Sequence, residues 1–137
     1  MRLLGASALI VAALTACGTD DGSAAGATTG RLTITVWPQG VAAGSPRKWT
    51  LECGPAGGTH PAAKQACARL PSLLPAFKPV PKDVMCTQIY GGPAEARVTG
   101  TFRGNRLDAR FNLVNGCEIA RWNRVAVLFP IAAGAQS

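Results

Sequence analysis

An α+β domain is what this 137-residue sequence predicts: a five-stranded antiparallel sheet with one main helix and one short helix on one face, stapled by two disulfides. Three observations carry the expectation. Residues 31–37 alternate, with Leu32, Ile34 and Val36 on one side and Thr33, Thr35 and Trp37 on the other, the pattern of a half-buried strand. Residues 59–70 are rich in alanine, and Ala63, Cys67 and Leu70 fall on one helical stripe. Cys53, Cys67, Cys86 and Cys117 form an even set in a chain with an export leader.

The first strand ends at Pro38-Gln39-Gly40, and a second is expected at 48–53 with Trp49 and Leu51 on a shared face. Thr59 is the expected N-cap of the main helix, Pro61 is tolerated in its first turn, and Pro71 should stop it. Pro71, Pro75, Pro79 and Pro81 then leave room only for a short helical turn near 72–77, and otherwise keep the chain stiff and extended. Residues 95–102 and 107–113 form a hairpin candidate around 103–106, where Gly104-Asn105 suits positive backbone angles. Residues 118–122 fit one helical turn, and 125–129 fit a last, buried strand. No internal repeat is evident.

Residues 1–16 read as a signal peptide, with a positive start at Met1-Arg2 and an apolar run from Leu3 to Ala13 too short to span a membrane comfortably. Leu14-Thr15-Ala16-Cys17 matches a bacterial lipobox, so Cys17 is the expected lipidation site and the membrane an expected partner. The alternative is an ordinary secretory signal with an incidental cysteine. Residues 17–30 lack bulky apolar side chains and should form a flexible tether. The folded domain is expected at 31–130, followed by a small-residue tail at 131–137. The chain is then placed on the extracellular side of the cytoplasmic membrane, lipid-anchored or secreted.

With Cys17 assigned to lipid, the remaining four cysteines allow three connectivities; pairing neighbours in order gives Cys53–Cys67 and Cys86–Cys117. Zinc is disfavoured, since there is no C-x-x-C pair and His60 is the single histidine. No metal or cofactor is expected. The formal charge of +7 could favour polyanions, and Arg103, Arg106, Arg110, Arg121 and Arg124 cluster in the last third. An exported, tethered protein rarely meets nucleic acid, so a solvated basic surface is the expectation. His60 should pack or hydrogen-bond where the main helix begins, Trp37, Trp49 and Trp122 should serve the core and sheet, and no carboxylates pair for acid–base work. Nothing here points to an enzyme.

The chain resembles the subtilisin inhibitor family first known from streptomycetes. The resemblance is carried by Leu51-Glu52-Cys53-Gly54-Pro55, Gly58-Thr59-His60-Pro61-Ala62-Ala63, Ala66-Cys67-Ala68, Asp83-Val84-Met85-Cys86-Thr87, Tyr90, Asn115 and Cys117, and spans about 32–129. It implies the five-stranded sheet, the in-order disulfides, and inhibition of subtilisin-like serine proteases, and leaves a homodimer through the sheet open. Carried over by position, the reactive bond is Gln88–Ile89, within a loop of Met85, Cys86, Thr87 and Tyr90, and Asn115 is the side chain that braces the loop from beneath. Gln88 stands where methionine, lysine or leucine are commoner. The second reading is a non-inhibitory surface lipoprotein that uses the scaffold to bind another extracellular ligand through its basic face.

Overall fold

The computed structural model describes residues 29–130. The signal segment, Cys17, most of the tether and the 131–137 tail lie outside the described residues.

Four strands, not five, form one antiparallel sheet in the order β2-β1-β3-β4. They are β1 (Gly30–Trp37), β2 (Arg47–Cys53), β3 (Glu95–Phe102) and β4 (Asn105–Phe111). The alternation in β1 sets the register: Ile34 lies opposite Trp49 and Val98, and Val98 opposite Ala109, so one face collects the apolar side chains. The opposite face carries Thr33, Thr50, Thr99 and Thr101 among charged residues. Arg31–Glu52 and Arg97–Asp108 pair there at 2.9 and 2.8 Å.

The expected fifth strand at 125–129 is helical. Helix α2 (Gly116–Val125) ends at Val125, and Ala126–Leu128 continues as a 3-10 turn. Val125, Leu128 and Phe129 are fully buried, and their spacing of three and four is the helical period. A short apolar run reads equally as a strand, which is why the strand was expected. The predicted single turn at 118–122 is therefore part of a ten-residue helix.

Helix α1 is Ala63–Leu73, and buries Ala66, Leu70 and Leu73. It begins four residues later than expected and runs through Pro71, which sits in its last turn. Thr59 does not cap it. Instead Thr59 and Thr50 exchange backbone-to-hydroxyl bonds of 3.0 and 2.9 Å. This fastens the Gly54–Thr59 loop to β2, and a Cβ at Gly58 (φ +90°) would collide with the Thr50 carbonyl, which accounts for a glycine before Thr59-His60. His60 serves where α1 begins: the Ala62 N–H donates to Nδ1 at 3.0 Å, so Nε2 holds the proton that faces the Leu128 carbonyl at 3.3 Å. Burial lowers its pKa from the ordinary histidine value, partly opposed by the Leu128 and Val127 carbonyls.

The β3–β4 turn is two residues, Arg103 (φ 55°) and Gly104 (φ 77°), so positive angles fall one position earlier than the Gly-Asn expected, and β4 starts two residues earlier. The core lies between the sheet and both helices, with Phe111 set edge-on between Phe77 and Phe129 and Trp122 tilted against Phe129. Cys53–Cys67 ties β2 to α1, and Cys86–Cys117 ties the long connection to α2.

Candidate functional site: a clipped, exposed loop

Beyond the 3-10 turn Leu74–Phe77 the chain forms no helix or strand until β3. Pro79 and Pro81 lack backbone donors and fix their own φ, so this arm reaches the N-terminal end of α2 with a single tight turn, in which the Val84 N–H donates to the Pro81 carbonyl at 3.2 Å. There the loop 84–90 is clipped at three points. Cys86 is bonded to Cys117, with Cα atoms 5.3 Å apart. The Gly116 N–H donates to the Thr87 carbonyl at 2.9 Å, and the Gly91 N–H donates to the Leu113 carbonyl at 2.7 Å. Between the second and third clips, Gln88, Ile89 and Tyr90 make no backbone hydrogen bond to the body of the domain among the described residues.

The clipped segment is presented outward. Met85 is 96% exposed, Ile89 60% and Tyr90 64%, and Thr87 and Gln88 are exposed as well. With Val84 at 47%, four large apolar side chains are kept in water on one loop, which marks a surface made for contact. The Gln88 amide reaches only the Cys86 carbonyl, at 3.4 Å. Residues 85–89 include no ionisable side chain, so the loop presents shape and backbone polarity rather than charge.

Asn115, expected to brace the loop directly, is placed one step away. Its Oδ1 accepts the Glu118 N–H at 2.9 Å and so caps α2. With Glu118 at the third helical position, Asn115-x-x-Glu118 is a capping signal that a reading of Asn115 as a loop prop passes over. The cap fixes the first turn of α2, and the contact with the loop comes from the next residue, Gly116. A Cβ there would overlap Thr87 Oγ1. Gly116→Ala is expected to push Thr87 off its clip and weaken binding to a loop-recognising partner by about tenfold, an effect of the size of one hydrogen bond. Thr87→Ala in the same chain should restore most of it; binding titrations of the single and double variants check this.

One residue that organises the site was misjudged from sequence. Arg121, grouped with a solvated basic cluster, is only 8% exposed. Its guanidinium donates to the carbonyls of Ala76 (2.7 Å), Phe77 (3.2 Å) and Arg110 (2.7 Å) and to Glu118 Oε2 (3.1 Å), and lies 4.4 Å from the Phe111 ring centre. It joins the foot of the proline-rich arm to β4 and α2, so arm and clamp share one rigid base. The other four arginines stay exposed: Arg103 in the turn, Arg106 and Arg110 on β4, Arg124 on α2.

Among the described residues, no group of histidine, cysteine, aspartate and glutamate could hold a metal ion, and no helix is long and apolar enough to cross a membrane. The arrangement contains no nucleophile activated by a base. What it offers is a peptide segment held still at both ends.

Comparison with known proteins points the same way. The model of the family "Subtilisin inhibitor-like" matches residues 27–115. Subtilisin inhibitor-like protein 1 of Streptomyces cacaoi is 37% identical over 91 residues, 61% of this chain and 81% of that protein. A subtilase-type protease inhibitor of Streptomyces coelicolor is 42% identical over 78 residues, 52% of this chain and 51% of its own length, so this chain spans about half of that relative. Among solved structures, Streptomyces caespitosus sermetstatin in complex with Bacillus licheniformis subtilisin aligns with 74% of this chain and 98% of that one, at 23% identity and a TM-score of 0.49.

Proposed function

Because this chain belongs to the subtilisin inhibitor-like family, we propose that it acts as a protein inhibitor, not an enzyme, and that it stops subtilisin-like serine proteases by offering Gln88–Ile89 as the attacked bond. The observation that carries the reading is the clipped loop. A serine protease binds an extended segment and attacks a carbonyl seated in its oxyanion hole. A segment held by Cys86–Cys117, Gly116–Thr87 and Gly91–Leu113 loses little further freedom on docking, which favours tight binding. After attack, the same clips keep the Ile89 amine beside the acyl group, so religation outruns hydrolysis. Met85, Tyr90 and Ile89 fill neighbouring subsites with apolar surface, while Asn115 steadies Gly116 through the helix cap. Adding increasing amounts of the chain to a fixed amount of subtilisin should abolish activity stoichiometrically; rapid digestion of the domain, or no effect, would exclude the reading. The non-inhibitory alternative gains no support from the family or from the loop.

Gln88 enters the primary pocket in this reading. Its amide loses water there and needs hydrogen-bond partners, at a cost of roughly 1–3 kcal/mol where they are missing. Gln88→Met is expected to tighten inhibition of subtilisin by about tenfold or more, and the unmodified chain to inhibit trypsin poorly for want of a Lys or Arg at this position. Inhibition constants for the two chains against both enzymes check it; weaker binding of the Met variant to subtilisin contradicts it.

The proposal extends to placement. Lipidation at Cys17 would tether the inhibitor outside the membrane, where incorporation of labelled fatty acid, lost in Cys17→Ser, tests it. Pairing of two copies through the threonine-bearing sheet face belongs to the same reading and is tested by sedimentation.

A further inference from the structure

We infer that the groove between the proline-rich arm and α2 is a second contact surface for the protease, and that it selects enzymes with an acidic rim beside the pocket that takes the loop. The inference rests on the inhibitory reading above and adds the chemistry of the partner.

The groove has a volume of about 480 Å³. Val80, Pro81 and Val84 line it from the arm and Ala120 from α2, with Lys78 and Arg124 contributed by opposite walls. Cys117, one half of the loop clamp, also lines it. Val84 is 47% exposed and precedes Gln88 by four residues. The groove thus adjoins the loop on the side before the attacked bond, which brings it close to an enzyme that receives the loop.

On the sheet face Arg31 and Arg97 are paired with Glu52 and Asp108, while Lys48, Arg106 and Arg110 make no ion pair among the described residues. What sets the groove apart is that its cations flank an apolar slot beside the loop. Lys78, Arg124 and the neighbouring Lys82 are exposed and make no ion pair among the described residues. Asp83 is the one acid in the arm, and Glu118 is taken up by Arg121. All the Lys and Arg of the chain except Arg2 lie in the described domain, against Glu52, Asp83, Glu95, Asp108 and Glu118, so the domain carries a net positive charge. Cations on the two walls of an apolar slot are desolvated as a partner closes over it. That step is favourable where the partner supplies carboxylates and unfavourable where it supplies cations or none. The apolar lining fits a protein surface with a small apolar protrusion better than a phosphate polymer.

The test uses the full chain, a Lys78→Glu/Arg124→Glu variant, and a Lys64→Glu/Arg69→Glu control that changes net charge equally on the exposed part of α1. Association and dissociation rates are measured against one acidic and one basic subtilisin-like protease, at about 20 and about 200 mM salt. Expected for the acidic enzyme at low salt is an association rate about tenfold lower for the groove variant, a loss of no more than about twofold for the control, and convergence at high salt. The basic enzyme should lose nothing with the groove variant. Equal losses in both variants would overturn the inference in favour of net charge alone. Unchanged protease rates with lost binding to polyphosphate would overturn it in favour of a polyanion site. A starting chain that inhibits neither enzyme would overturn the inhibitory reading itself, and this inference with it.

Discussion

Replacing Cys86 and Cys117 together by serine turns the inhibitor into a substrate. The bond closes a loop with a sequence separation of 31, which in the chain-entropy account restricts the open form by roughly 3–4 kcal/mol. Without it, the loop is left with two backbone hydrogen bonds, Gly116–Thr87 and Gly91–Leu113, each contributing about 1 kcal/mol net. That is too little to hold the acyl end in register with the Ile89 amine. The fold should survive, because neither cysteine belongs to the buried cluster around Ile34, Leu51, Val98, Phe111 and Trp122, and Cys53–Cys67 is untouched. The expected result is native-like circular dichroism, an inhibition constant raised at least about 100-fold, and steady cleavage of the loop by subtilisin. Undiminished, lasting inhibition by the double variant would remove the clamp from the mechanism.

The largest expected loss of stability belongs to Arg121→Met. The substitution keeps much of the side-chain volume but removes the donors to the Ala76, Phe77 and Arg110 carbonyls and the partner of Glu118. Stranding a half-buried carboxylate and three carbonyls costs about 3–5 kcal/mol. In a domain of this size that lowers the melting temperature by at least about 10 °C. Arg121→Lys should recover part of the loss, since one ammonium cannot span the planar fork of contacts. The loop should loosen with the arm, because both rest on the same guanidinium. Scanning calorimetry of the two variants checks this; a shift under about 2 °C would mean that Arg121 is not the anchor its contacts describe.

Arg121 also marks where reading the sequence stops. Its partners are backbone carbonyls from a 3-10 turn and a distant strand, which carry no residue-type signal, and arginine is ordinarily a surface residue. The alternation of 31–37, the helical stripe ending at Leu70 and the neighbouring-cysteine order are local patterns, and each reappears in the structure. Val125–Phe129 is a local pattern too, but five apolar residues are too few to separate a strand from a buried helical end without knowing what packs on them. The site divides the same way. Exposure of Gln88 and Ile89 and the bond between Cys86 and Cys117 accord with the motif. The Gly116 clip needed the three-dimensional approach of Thr87 to become visible, and Asn115 drew attention away from its own capping pattern. Thr59, a good cap by type, was claimed by Thr50 across the loop, a tertiary contact stronger than its helical preference.

The central claim is that a single peptide bond, held rigid by the clips around it, is what the protease attacks. Prolonged incubation of the chain with a catalytic amount of subtilisin, followed by reduction and mass analysis of residues 31–130, reads this out directly. One slow cut, with a new N-terminus at Ile89 and the two halves joined by Cys86–Cys117 until reduced, is the predicted result. A first cut elsewhere in the domain, with Gln88–Ile89 intact while inhibition persists or fails, would contradict it.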